Sequence, residues 1–171
     1  MYQQSFTLYK LIILYMLDRV GFPLTQTQIS TFILDKGYTN YITLQQAIAE
    51  LTENDLITRE QTANRTLLKI TSDGRDTIRY FENRISDAIK DDIYQFYKEN
   101  RMELKNEVSI QSDYYKSVTG EYEATLSAHD KNIELVSLKI SVPTQSMAED
   151  VCANWQKRNQ EIYKKLTELL F

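Results

Sequence analysis

The chain has 171 residues, 42% hydrophobic and 26% charged, with four glycines, two prolines and one cysteine, Cys152; that suits one good core or two small ones without long flexible linkers. An internal disulfide is excluded, and with an opening Met1-Tyr2-Gln3-Gln4 that lacks the features of a signal peptide, a cytoplasmic location is expected. Net charge is −4, but residues 1–75 hold seven Lys/Arg and seven Asp/Glu against thirteen and seventeen in residues 76–171, so any approach to nucleic acid is through the first part.

In chain order, Phe6, Tyr9, Ile12, Ile13, Met16, Leu17 and Val20 recur at helical spacing, while Leu8, Leu11, Leu14 and Tyr15 fill the rest of the circumference. The apolar run Leu11 to Leu17 is far short of the roughly 20 residues that span a bilayer, so no membrane partner is expected. A helix apolar nearly all round must be covered on several sides, by the second domain or a second subunit, and a homodimer is expected. Gly21-Phe22-Pro23 ends it. Thr25 and Gln28 have capping-box spacing at the head of a second helix, with Ile29, Phe32 and Ile33 inward and a stop at Gly37. A third helix, from about Thr43 to Asn54, carries the stripe Leu44, Ala47, Ile48 and Leu51, and Asn54-Asp55 offers a left-handed exit.

Two strand-like runs follow, Leu56 to Glu60 and Thr66 to Ile70. Between them lies a polar stretch of hairpin length, in which Asn64 can supply the turn. Thr71-Ser-Asp-Gly-Arg75 opens another helix bearing Ile78, Phe81 and Ile85. A break is expected at Ser86-Asp87, then helix through Ile89, Ile93, Phe96 and Tyr97 to Met102. Residues 107–118 take a two-residue period through Val108, Ile110, Ser112 and Tyr114. Tyr122 to Ala128 and Val136 to Val142 alternate likewise, with turns at Thr119-Gly120 and His129 to Asn132. This predicts a three-stranded antiparallel meander. Thr144 or Ser146 caps a last helix to about Leu170, burying Met147, Val151, Trp155, Ile162, Leu166 and Leu169 against the sheet.

Three helices, a hairpin and a helix, with Leu24-Thr-Gln-Thr-Gln-Ile29, Thr43-Leu-Gln-Gln-Ala-Ile-Ala-Glu-Leu51, Leu56-Ile57 and Ile70-Thr71-Ser-Asp-Gly-Arg75, resemble the winged-helix transcription-regulator superfamily, especially its PadR-like and MarR-like branches. Over its full length the chain also resembles a bacterial family of unknown function, found mainly in Gram-positive anaerobes. Gly37-Tyr-Thr-Asn-Tyr41, Asp113-Tyr-Tyr115, Gly120-Glu-Tyr122, Val142-Pro143 and Asn154-Trp155 carry that likeness. The expected fold is α+β: a winged helix-turn-helix domain over 1–85, then a helix, a three-stranded antiparallel meander and a covering C-terminal helix over 86–171, for dimerisation or effector sensing.

The first resemblance implies a dimeric transcriptional regulator that reads an inverted repeat in double-stranded DNA. Base contacts would come from Asn40, Tyr41, Thr43, Gln45 and Gln46, and phosphate contacts from Arg59, Arg65 and Lys69. The third helix has no Lys or Arg, and Glu50 and Glu53 face away from its apolar stripe. The alternative is therefore a winged helix that docks a protein. A small-molecule or protein effector would meet the second domain, where Tyr94, Tyr97, Tyr114, Tyr115, Tyr122, Trp155 and Tyr163 fall. Catalysis, a metal and a cofactor are not expected. His129 is the only histidine, Cys152 lacks a basic setting, Asp91-Asp92 and Glu149-Asp150 are consecutive pairs that diverge on helices, and there is no phosphate-binding glycine loop.

Overall fold

The computed structural model describes residues 2–61, 65–130 and 133–171, with side chains from Gln4 onward. The turns expected at Asn64 and at Lys131-Asn132 lie outside the described residues. Among those described, the chain forms six α-helices and two three-stranded antiparallel sheets, divided between two compact units, Met1–Lys105 and Asn106–Phe171.

The first unit opens with α1 (Tyr2–Val20), then β1 (Leu24–Thr25), α2 (Gln26–Asp35), α3 (Tyr41–Glu53), the hairpin β2 (Ile57–Gln61) and β3 (Thr66–Ile70), and α4 (Ser72–Phe81). A 3-10 turn, Glu82–Arg84, leads to α5 (Asp87–Ser109). The capping box at α2 forms in full: Gln28 N–H donates to Thr25 Oγ1 at 3.0 Å, and Thr25 N–H to Gln28 Oε1 at 2.8 Å. Gly37, at φ +68, closes the far end of α2. Its N–H reaches Leu34 O and that of Tyr38 reaches Ile33 O, so two orphan carbonyls find donors. Asp55 takes φ +55 in leaving α3, as the Asn-Asp pair suggested.

β1 is an addition to the hairpin read from the sequence: Leu24 pairs with Leu68 and Thr25 with Leu67, giving sheet order β1-β3-β2. Two residues carry no periodicity, so only the tertiary pairing reveals it. Leu11 to Leu14, Met16, Leu17 and Val20 of α1 are all buried with Ile29, Leu44, Ile48, Leu51, Leu68 and Ile78. That core also takes Ile89, Ile93, Phe96, Tyr97 and Leu104 of α5. The nearly all-round apolar helix is thus covered inside its own unit. The first unit therefore reaches Lys105, where the boundary read from sequence stood at 85.

In the second unit β4 (Ile110–Lys116), β5 (Tyr122–Asp130) and β6 (Ile133–Val142) form a sheet in the order β4-β5-β6, the expected meander. α6 (Gln145–Leu170) covers one face. Ala124, Leu126 and Ala128 are buried, and Trp155 is fully buried with its Nε1–H donating to Ser127 O at 3.2 Å. Thr144 is the cap, accepting from Met147 N–H. Three details differ from the sequence reading. Val108 lies on α5, because the helix continues to Ser109 before the strand begins. His129 sits within β5, paired across to Glu134, instead of in a turn. Met147 and Leu169 are exposed, since the covering stripe of α6 is centred on Ala148, Val151, Trp155 and Ile162.

Candidate functional site

α3 is held by its apolar stripe: Leu44, Ala47, Ile48 and Leu51 are all buried. Its start is fixed by Asn40, whose side-chain oxygen accepts the Thr43 N–H at 2.9 Å. The cap aims the positive end of the helix dipole outward. It also occupies the Asn40 carbonyl oxygen, and Thr43 is only 6% exposed. Neither residue is therefore presented as freely as the sequence reading placed it. Tyr41 (58%) and Ile42 (71%) are open, and Gln46 is exposed.

Gln45 is half-buried, with its Oε1 accepting from Gln26 Nε2 at 2.6 Å. The remaining atoms of that amide pair, Gln26 Oε1 and Gln45 Nε2, are covered and have no hydrogen-bond partner among the described residues. Tyr41, Gln45 and Arg65 line one groove with Gln26 and Gln61, about 580 Å³ in volume, between α2, α3 and the hairpin. Gln46 lines a different hollow, with Lys10, Glu50 and Glu53. The site residues on α3 thus divide between two sides of the helix.

The hairpin cations divide as well. Antiparallel register sets Arg59 opposite Leu68, and Thr58 opposite Lys69. Alternation then puts Arg59 and Lys69 on opposite faces of the ribbon. Arg59 and Lys69 are exposed and Arg65 is half-buried.

Sequence reasoning missed two contributors. Lys10 of α1 pairs with Glu50 at 2.9 Å, compensating one of the two carboxylates on this side of α3; a contact forty residues away leaves no local signal. Gln26 was legible only as the first residue after a cap. Elsewhere, Cys152 is half-buried and burial raises its pKa, a change that disfavours the thiolate. Tyr94 and Tyr97 belong to the first unit, while Tyr114, Tyr115, Tyr122, Trp155 and Tyr163 belong to the second. Among the described residues, no group of His, Cys, Asp or Glu is arranged to hold a metal ion, and no helix is long and apolar enough to cross a membrane.

Over residues 9–170 the chain matches the family described as "Domain of unknown function (DUF4364)". It belongs to the DUF4364 family. No curated protein and no solved structure matches it.

Proposed function

We propose that the first unit is a winged helix-turn-helix and that this protein is a cytoplasmic DNA-binding transcriptional regulator, reading an inverted repeat as a homodimer. One observation carries the reading: the first turns of α3 present Tyr41, Ile42 and Gln46 to solvent, and Tyr41 shares a groove with Arg65 of a hairpin that also bears Arg59 and Lys69. The exposed amide of Gln46 can pair bidentately with adenine, and the Ile42 side chain can pack on a thymine methyl. Gln45 reaches a base once its amide leaves Gln26. Arg59 and Lys69, on opposite ribbon faces, suit a hairpin that runs beside the backbone or enters the minor groove with phosphate on both sides. Three cations per subunit give modest affinity, and a dimer with recognition helices about 34 Å apart doubles the phosphate contacts.

The test is retention of fragmented genomic DNA by the full chain in about 50 mM salt, followed by sequencing of the bound fragments. The expected result is one enriched inverted repeat. Gln46→Ala should lose about 1–3 kcal/mol on that repeat and leave non-specific binding nearly intact. Arg59→Gln should weaken all sequences alike and flatten the salt dependence by about one unit per subunit. Light scattering should give twice the 20.1 kDa chain mass. If no DNA is retained, the regulator reading fails. The exposed Tyr41 and Ile42 then favour docking of a polypeptide.

A further inference from the structure

On another part of the first unit, α1 and α5 line a half-open cavity of about 360 Å³. Its apolar wall is made by Tyr15, Ile93, Tyr94 and Tyr97. The Tyr97 hydroxyl is turned away to donate to Met16 O at 2.7 Å, so its contribution to the cavity is the ring. Four cations complete the lining: Arg19, Lys90, Lys98 and Arg101. On α5 all of these residues fall at three- and four-residue steps, which is one face of the helix. Size and apolar character are those of a small-molecule site, which typically occupies ~300–1,000 Å³ and carries a few convergent polar groups.

The cations are not equally engaged. Glu82 meets Arg19 at 2.8 Å and Lys90 at 3.7 Å, and Arg19 also lies over the Tyr15 ring. Asp18 adds a more distant negative charge near Arg19. Among the described residues no carboxylate stands within 4.0 Å of the Lys98 or Arg101 side-chain nitrogens, and the Arg101 guanidinium stands 5.9 Å from the Phe22 ring centroid. No acidic residue lines the cavity itself. An apolar hollow with two cations outside any ion pair on its rim suits a ligand whose anionic head pairs with them while its body covers the tyrosine and isoleucine surface.

We propose that the cavity between α1 and α5 binds a small amphipathic organic anion, a carboxylate or phosphate on a short apolar body, with Lys98 and Arg101 taking the head group. The site is separate from the α3 surface, so its test stands whether or not the protein binds DNA. Calorimetric titration of the full chain with octanoate and with octyl phosphate should each give saturable one-to-one binding. The stronger of the two identifies the head group. Octanol should bind at least about tenfold more weakly, and octylammonium should not bind. Lys98→Gln with Arg101→Gln should weaken the anion at least about tenfold, with the circular dichroism spectrum unchanged because both side chains are exposed. Lys98→Glu alone gives a second, independent reading in the same direction. Lys157→Gln, on the second unit, should leave binding unchanged. Equal binding of octanol and octanoate, full retention in both cavity variants, or no saturable binding of either anion overturns the assignment.

Discussion

Gly74 and Gly37 are glycines for different reasons, the first steric and the second conformational. A Cβ on Gly74 would stand 2.1 Å from Leu56 O and 2.8 Å from Ile70 Cγ1. The first turn of α4 is pressed there against backbone that Thr71 also grips: its N–H donates to Leu56 O at 3.1 Å, and its Oγ1 lies 2.7 Å from Asp55 O and 3.0 Å from Leu56 O while accepting from Gly74 N–H. Gly74→Ala should therefore cost about 2–3 kcal/mol, and Gly74→Asn no less, because the obstacle is immovable carbonyl oxygen. At Gly37 nothing lies within 4 Å of a Cβ, and only the positive φ matters. Gly37→Asn should be nearly neutral and Gly37→Ala should cost about 1–2 kcal/mol. Urea midpoints of the four variants check both claims; a tolerated Gly74→Asn would refute the first. The Thr-x-x-Gly spacing was visible in the sequence. The close approach that requires glycine was not, because it depends on where Leu56 returns.

At the scale of elements, caps and periods were readable and long-range partners were not. Thr25 with Gln28, and the stripe of α3, fixed two helices from local pattern alone. The length of α5 did not follow, since Val108 and Ile110 fit a strand period as well as a helix end. The α3 surface was read as one row of contacts. Burial of Thr43, the Gln26–Gln45 pair and the alternation of Arg59 and Lys69 divide that row, and each depends on tertiary placement. α5 is tied to the end of α2 by a pair of contacts of the same kind: Asp92 takes Lys36 Nζ at 2.7 Å and the Tyr38 hydroxyl. Hydrogen bonds from Lys36 and then Tyr38 hold the Asp92 carboxyl below the usual carboxylate range. A depressed folded pKa gives stability that is present above the unfolded pKa, about 3.9, and lost as pH falls through the folded value. Asp92→Asn should thus lower stability at pH 7, and the gap to wild type should close in denaturant titrations as the pH falls through the folded carboxyl's lowered pKa. A gap that persists unchanged in acid would mean the side chain acts by packing.

For the whole molecule, the two cores share no residue: one gathers α1 to α5, the other sets Leu126, Ala128 and Trp155 between sheet and helix. The second domain's meander and final helix were legible because period-two strands and a capped amphipathic helix announce themselves. The reach of the first core to Lys105 was hidden, since nothing local says which partner α5 chooses. Trp155 is the only tryptophan and is fully buried. Its fluorescence therefore reports the second core, while circular dichroism reports both. Leu126→Ala removes a side chain that is 4% exposed, a change that costs about 2–5 kcal/mol. For a core of this size that is a fall in the fluorescence midpoint of roughly 10 °C or more. Gly74→Ala should lower a part of the dichroism transition and leave the fluorescence midpoint where it is in wild type. If the Gly74 variant instead moves both signals by the same amount, the chain unfolds as one cooperative body, and the separate cores do not act as separate units of stability.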